Sequence, residues 1–196
     1  LLADDGYIYQ RKIAIYHVLD HILRKDLAEC RIELKCVATS DEDQTFSVDF
    51  YINTNNSKKK FYEVKKQQSL HYKSSLEPII ENFYQIHTAN LGEDVEFYLI
   101  HTCQIRGDYL VKFDSSRVDK IMAMRKINSV YDEGFCDRFF PQQILDSVEP
   151  NLLYSDIELR SIGIIDKILK EYNIFEYGAA EQVYQSIRLC FENLES

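Results

Sequence analysis

Apolar residues recur at Ile13, Ile15, Tyr16, Leu19, Ile22 and Leu23 within residues 9–27, a spacing that fits a helix better than the alternation of a strand. Gly6 stands just ahead of this stretch, and Arg24 and Lys25 near its end suit the negative pole of a helix dipole. Residues 31–37 then alternate polar and apolar with period two, as a strand with one wet face does, and Glu33 belongs to the polar set. After a charged turn at 40–44, residues 45–52 predict a second strand. Phe46, Val48, Phe50 and Ile52 share one of its faces, and Ser47, Asp49 and Tyr51 the other. The run Asn53-Thr54-Asn55-Asn56-Ser57 is a turn signal, because Asn tolerates left-handed backbone and Asn and Ser bond locally to the main chain. Residues 60–65 return as the second arm of a hairpin, with Tyr62 and Val64 on one face and Phe61, Glu63 and Lys65 on the other.

Leu76, Ile79, Ile80, Phe83 and Ile86 recur at helical spacing over 75–88, with Ser74 or Ser75 as cap and Pro78 early enough for the first turn. The apolar run 96–102, following Gly92, predicts a fourth and more buried strand. Beyond about residue 115 the stretches 118–127, 143–147, 157–172 and 179–194 all predict helices. The expected organisation is therefore an α/β core over 1–114 and a mainly helical part over 115–196, packed on that core or on a neighbouring domain. No Pro/Gly/Ser-rich linker separates the two parts, and no repeat of 20–50 residues is present. The last helix carries Val183, Ile187, Cys190, Phe191 and Leu194 on one stripe, which needs a partner surface.

Composition sharpens this picture. At 196 residues, 45% hydrophobic and 13% aromatic, with only 6 Gly and 3 Pro, the chain is expected to pack a core throughout. It has no run of 18 uncharged apolar residues and no basic-then-apolar leader, so a cytoplasmic protein without a membrane partner is expected. The chain starts at Leu1, which leaves open that it is a piece of something longer. Five scattered cysteines, never in a CxxC pair, predict small buried hydrophobes in preference to a zinc site or disulfide. A net charge of −9 argues against a protein that coats nucleic acid nonspecifically. The densest basic stretch, Lys58-Lys59-Lys60, Lys65-Lys66 and Lys73, is either a local strip for docking DNA or a solvated turn.

Asp49, Glu63 and Lys65 are the residues that suggest chemistry. A phosphodiester hydrolase needs hard oxygen ligands for Mg²⁺ and a cation near the charge developing on phosphorus. Asp49 and Glu63 lie one hairpin apart, and Glu63 and Lys65, two positions apart, share a side of their strand. Two carboxylates and a lysine grouped in a partly buried place are costly unless a metal or substrate pairs with them. The alternative is a hairpin face open to water. His17 and His21 are one helical turn apart, but no Glu between them completes an HExxH zinc pattern, and a packed or surface pair is expected. Tyr109, Tyr131, Phe135, Phe139 and Phe140 are expected in a core in preference to a base-stacking surface.

The order of these features resembles the PD-(D/E)xK restriction-endonuclease-like superfamily. The likeness covers roughly residues 6–102 and rests on a helix with Gly6-x-x-Tyr9-Gln10, a strand with Ile32-Glu33, a strand with Val48-Asp49, and then Glu63-Val64-Lys65. More narrowly, Gly6-x-x-Tyr9-Gln10 resembles the double-strand DNA endonuclease domain of bacterial anti-phage effectors associated with cyclic-nucleotide signalling. The departures are Val48 where the superfamily often has Pro, and Glu63 where the narrower family often has Gln. The resemblance implies a central mixed sheet flanked by helices, with Asp49, Glu63 and Glu33 around Mg²⁺ or Mn²⁺. It further implies that Lys65 orients water or stabilises the transition state, and that Gln10 reaches the phosphate from the first helix. Lys58, Lys59, Lys60, Lys66 and Lys73 would meet the DNA. The expected function is a metal-dependent DNA endonuclease domain acting on double-stranded DNA, the effector nuclease of a bacterial anti-phage defence protein, working as a homo-oligomer or with additional domains or subunits of a defence complex. A noncatalytic binding or scaffolding module is the alternative.

Overall fold

The structure, a computed structural model, describes residues 2–37, 45–66, 70–71, 75–102, 105–106 and 116–193, with side chains over 6–33, 47–66, 75–102 and 116–193. The charged turn at 40–44, Lys73, Tyr109 and the side chain of Phe46 lie outside them. Helix α1 (Leu2–Leu23) is followed by strands β1 (Leu27–Val37), β2 (Thr45–Thr54), β3 (Lys59–Lys65) and β4 (Leu70–His71). Helix α2 (Glu77–Ala89) leads to β5 (Val95–His101) and β6 (Ile105–Arg106). Then come α3 (Arg117–Ile127), α4 (Glu133–Arg138), β7 (Phe139–Gln143), α5 (Asp156–Glu171) and α6 (Ala179–Asn193).

The main sheet has five strands in the order β1-β2-β3-β5-β7, and β4 and β6 form a separate parallel pair. The β1-β2 and β2-β3 pairs are antiparallel; β3-β5 and β5-β7 are parallel, so the sheet is mixed. Alternation along the central strands feeds two cores. Phe61, Val95, Phe97 and Leu99 face α2, where they meet Ile80, Phe83 and Ile86, with Met124 of α3 and Phe135 of α4 beside them. Tyr62, Val64 and Ile100 face the other way, against Tyr9, Ile13 and Ala14 of α1. A third cluster clamps α1 to α5 and α6 through Ile15, Leu19, Ile165 and Tyr184. The α/β architecture with a helical C-terminal part is as the sequence pattern predicts, and helices cover both faces of the mixed sheet.

Three elements differ from that pattern. Residues 143–147 predict a helix, yet β7 ends at Gln143 and irregular chain follows to 149. The aromatic pair Phe139 and Phe140 takes strand geometry beside Phe97 and Tyr98, and Pro141, which has no N–H to donate, is tolerated because β7 is an edge strand. The C-terminal part thus supplies a strand to the sheet as well as helices to its faces. In β2, Phe50 and Ile52 pack towards α1 as expected, but Val48 joins the α2-side cluster, so the alternation breaks between Val48 and Phe50. Along α6 the buried positions are Ala180 and Tyr184, flanked by Ile187 and Phe191, whereas Cys190 is exposed; the partner of this stripe is α1 and α5. Of the other described cysteines Cys136 is buried and Cys30 partly so, and burial pushes both thiols up to about 11. No helix among the described residues is long and apolar enough to cross a membrane.

Phe97 is fully buried and its ring meets those of Phe61, Phe83 and Phe135 at centroid distances of 5.2 to 5.6 Å. Phe97→Ala is expected to cost about 3–5 kcal/mol in urea denaturation. Leu153→Ala, at a residue 85% exposed, is expected to change stability by less than about 0.5 kcal/mol. Equal effects of the two substitutions would contradict the placement of this core.

Candidate functional site

The ladder between β2 and β3 runs from Asn53 opposite Lys59 to Phe50 opposite Tyr62, and goes no further. At the next position the N–H of Val64 donates to Oδ2 of Asp49 at 2.7 Å, so a carboxylate takes the place of a backbone carbonyl. Each strand keeps its other neighbour beyond this point: β2 stays paired to β1 as far as Thr45 opposite Val37, and β3 to β5 as far as Lys65 opposite His101. The sheet therefore opens between its second and third strands. A cavity of about 430 Å³ at this opening is lined by Gln10, Glu33, Asp49, Glu63 and Lys65, which brings together all five residues singled out at the centre of the site. Gly6 and Tyr7 complete its α1 wall.

Charge in the cavity is unbalanced. Lys65 Nζ lies 2.6 Å from Glu63 Oε1. Burial alone would draw the Lys65 ammonium down, but Glu63 and then Asp49 hold it above its ordinary value. Asp49 is pushed up to about 7, first by burial and then by the charge of Glu63, with a smaller push from Glu33; the Val64 N–H and Lys65 oppose this without cancelling it. The β1-β2 register, with Ile32 opposite Phe50 and Leu34 opposite Val48, sets Glu33 across from Asp49. Glu33 has φ of 51°, left-handed backbone for a non-glycine residue inside a strand. Such strain persists only where the surroundings impose it, and it concentrates at functional sites.

These residues fit a hard divalent cation, with a qualification. Mg²⁺ is commonly held by one or two carboxylates, with water and phosphate oxygens filling its other positions. Asp49, whose carboxyl is pushed up by burial and then by Glu63, supplies that pair together with Glu63. Among the described residues no group of three His, Cys, Asp or Glu side chains is arranged to hold a metal, so Glu33 lines the cavity without completing a three-carboxylate cage.

The basic strip is placed differently from its sequence expectation. Lys58 pairs with Glu96 at 2.8 Å and Asp94 at 3.6 Å, and Lys59 pairs with Glu93. Lys60 lies 3.5 Å from His21 Nε2 and over the Tyr98 ring. These three lysines sit at the opposite end of β3 from Lys65, about 20 Å away at the rise of a strand, and are engaged by the protein's own groups. Lys66 is exposed, with its ammonium 5.7 Å from the centre of the Tyr9 ring. His17 is partly buried with its ring against Tyr62, and desolvation pushes its imidazole down to about 3; His21 Nδ1 is 2.7 Å from Asp26 Oδ1. The two are packed residues and share no metal site among the described residues. Tyr131, Phe135 and Phe139 are buried in the core, and Phe140 stacks on Tyr98.

Tyr7 was not marked by the sequence pattern. The signal is helical arithmetic: Gly6 and Tyr7 precede Gln10 by four and three positions, which puts them on the same helix face. Tyr9, by contrast, turns into the core and donates from its hydroxyl to the carbonyl of Ile144 at 3.2 Å.

No protein-family profile matches the chain, and no curated protein matches it. Similar folds occur in solved receptors. The Acinetobacter baumannii Cap4 SAVED/CARF-domain-containing receptor, solved with the cyclic trinucleotide 3′3′3′-cAAA, aligns over 95% of this chain and 42% of its own, at 13% identity and a TM-score of 0.57. The same receptor with 2′3′3′-cAAA aligns over 95% and 40%, at 11% identity and 0.56. The Moraxella osloensis Cap4 SAVED/CARF-domain-containing receptor aligns over 93% and 41%, at 13% identity and 0.50. The chain spans about two-fifths of the length of these receptors, and at such identities the likeness is one of fold. It corrects the assignment to the PD-(D/E)xK superfamily and the DNA endonuclease function attached to it, because the similar structures are Cap4 SAVED/CARF-domain-containing receptors, one of them solved with cyclic trinucleotides. The scaffold alternative named no ligand and is corrected with it, and double-stranded DNA has no support as a partner.

The raised pKa of Asp49 has a signed consequence. Its stabilising contribution is fully present below the ordinary value of 3.8 and is lost as pH rises through about 7. Asp49→Asn, uncharged throughout, is expected to match the parent at pH 4 and to exceed it at pH 8 by about 1–3 kcal/mol in urea denaturation. A stability difference that does not change between these pH values would remove the case for a buried, charge-crowded Asp49.

Proposed function

We propose that the opening between β2 and β3 binds a divalent cation together with a phosphodiester of a nucleotide ligand, and that the chain is one domain of an anti-phage defence protein of the Cap4 receptor kind. The observation that carries this reading is the excess of carboxylate over ammonium inside one cavity, where burial first and then the charge of Glu63 push the Asp49 carboxyl up. A cation relieves that excess, and a phosphate then relieves the cation. That the similar receptors are solved with cyclic trinucleotides, which are themselves phosphodiesters, supports the ligand class; their binding site is not carried over to a chain two-fifths as long.

The cation, Mg²⁺ or Mn²⁺, would be held by Asp49 and Glu63, with Glu33 contributing to the field, and when bound it would polarise a phosphoryl oxygen. Asp49 keeps Oδ2 on the Val64 N–H, which fixes its carboxylate and leaves Oδ1 for a ligand. Lys65, already held at the cavity by Glu63, offers its ammonium to the phosphoryl oxygens. Gln10 presents an amide from α1 that can donate to the same phosphate. Hydrolysis of the bound ester is the enzymatic proposal that goes with this arrangement, and Lys65 stabilises negative charge as the ester is cleaved.

Titration of the protein with Mn²⁺ by calorimetry, with and without a short linear oligonucleotide, tests the reading. Asp49→Ala and Glu63→Ala are expected to weaken the cation by about 10- to 100-fold. Lys65→Ala is expected to leave the cation bound, weaken the oligonucleotide and lower any turnover by about 10²–10³. Cation affinity equal in the parent and in an Asp49→Ala, Glu63→Ala double variant sinks the proposal. Binding of both ligands with no ester cleaved removes its enzymatic part and leaves a receptor site.

A further inference from the structure

Given the cation and phosphoester reading above, we propose that Gly6 and Tyr7, at the α1 wall of the cavity, form a subsite for the nucleobase of the ligand. Gly6 lies inside the 22-residue helix α1, where glycine is disfavoured relative to alanine. Nothing in the fold requires it there. Its φ is not among the positive values, which belong to Gly92 and Gly178 among the glycines, and an added Cβ would meet no atom within 4 Å among the described residues. The bare backbone faces the cavity. Its neighbour Tyr7 lines the same cavity and is 53% exposed, whereas Tyr9, two residues on, is 1% exposed in the core.

An exposed ring beside bare helix backbone at the edge of an acidic, lysine-bearing cavity matches the shape of a nucleotide. The phosphate goes inward to Lys65, and the planar base lies on Tyr7, where any base can stack because every base has a π-face. Gly6 lets that base approach the helix more closely than a side chain would allow. Gln10, on the same helix face one turn further, offers its amide on the side towards the phosphate. The cavity therefore selects nucleotides over other phosphate esters.

The subsite is separable from the phosphate and cation site by ligand choice. With Mn²⁺ present, the parent protein is expected to bind adenosine 5′-monophosphate about tenfold more tightly than ribose 5-phosphate. Tyr7→Ala is expected to bring the nucleotide down to the level of the sugar phosphate, and Tyr7→Phe to restore the preference. Gly6→Leu is expected to weaken the nucleotide about tenfold while Mn²⁺ affinity stays within about twofold. Gly6→Ala, which removes a helix-interior glycine, is expected to raise the thermal midpoint, showing that α1 tolerates a side chain there. Equal affinities of the parent for nucleotide and sugar phosphate, or unchanged nucleotide binding in both Tyr7→Ala and Gly6→Leu, overturns the subsite and leaves the cation and phosphate site standing. A parent protein that binds neither Mn²⁺ nor either phosphate ester overturns that underlying site, and the subsite falls with it.

Discussion

The hydrogen bond from the Val64 N–H to the Asp49 carboxylate is the contact on which the rest of the site depends. A backbone N–H at the end of a buried ladder must find an acceptor, and a neighbouring strand ordinarily supplies one. Here a side chain supplies it, so β2 and β3 part after Phe50 and Tyr62 without leaving an orphaned donor. The same bond holds the carboxylate inside the sheet, where burial and Glu63 drive it towards its neutral form. Opening the sheet and charging the opening are thus one structural event. Glu33, across from Asp49 on β1, takes left-handed backbone at this same level.

Helix α1 has to be held firmly for its N-terminal half to wall the opening, and most of its anchoring comes from the C-terminal part of the chain. Ile15 and Leu19 pack into the cluster shared with α5 and α6. Lys12, two residues beyond Gln10, lies 3.3 Å from Glu158, whose carboxylate also closes the capping box of α5 on Ser155. Burial would raise the Glu158 carboxyl, yet the Ser155 and Lys12 bonds hold it below its ordinary value, so the tie between the helices carries a true carboxylate at neutral pH. The C-terminal segment is therefore part of the machinery that positions Gln10, Tyr7 and Gly6, besides giving β7 to the sheet.

Alternation and helical spacing made most of the layers legible from residue types alone, because each element buries one face and the period of that face is set by its geometry. The hairpin from Asp49 to Lys65 and the faces of β3 could be read in this way, and so could the gathering of Asp49, Glu63 and Lys65. The strand β7 could not: five residues with a proline and two glutamines carry little periodicity, and what makes them a strand is a parallel partner some forty residues earlier in the chain. The break at Val48 and the left-handed Glu33 were also hidden, since both arise where two strands part and neither residue type favours it. The surroundings of the lysine strip were hidden for an electrostatic reason. Sequence shows that Lys58 and Lys59 are adjacent, but not that Glu93, Asp94 and Glu96 stand beside them across the β3-β5 pair.

That neutralisation bears on what a chain of net charge −9 can bind. A long polyanion gains affinity from many lysines along its path, and here three of those closest in sequence to the site are held by the protein's own groups. Within the cavity Lys65 is the ammonium against three carboxylates, so a phosphate entering alone meets net repulsion. In the proposed reading a divalent cation would reverse that sign locally, at the carboxylates that hold it. Cation and phosphate would then favour one another's binding reciprocally, as linkage requires, and protons on Asp49 would oppose the cation. On that reading an acidic protein with a buried, charge-crowded carboxylate pair would take a compact nucleotide ligand gated by metal, with recognition left to groups at the cavity wall in place of a broad basic surface.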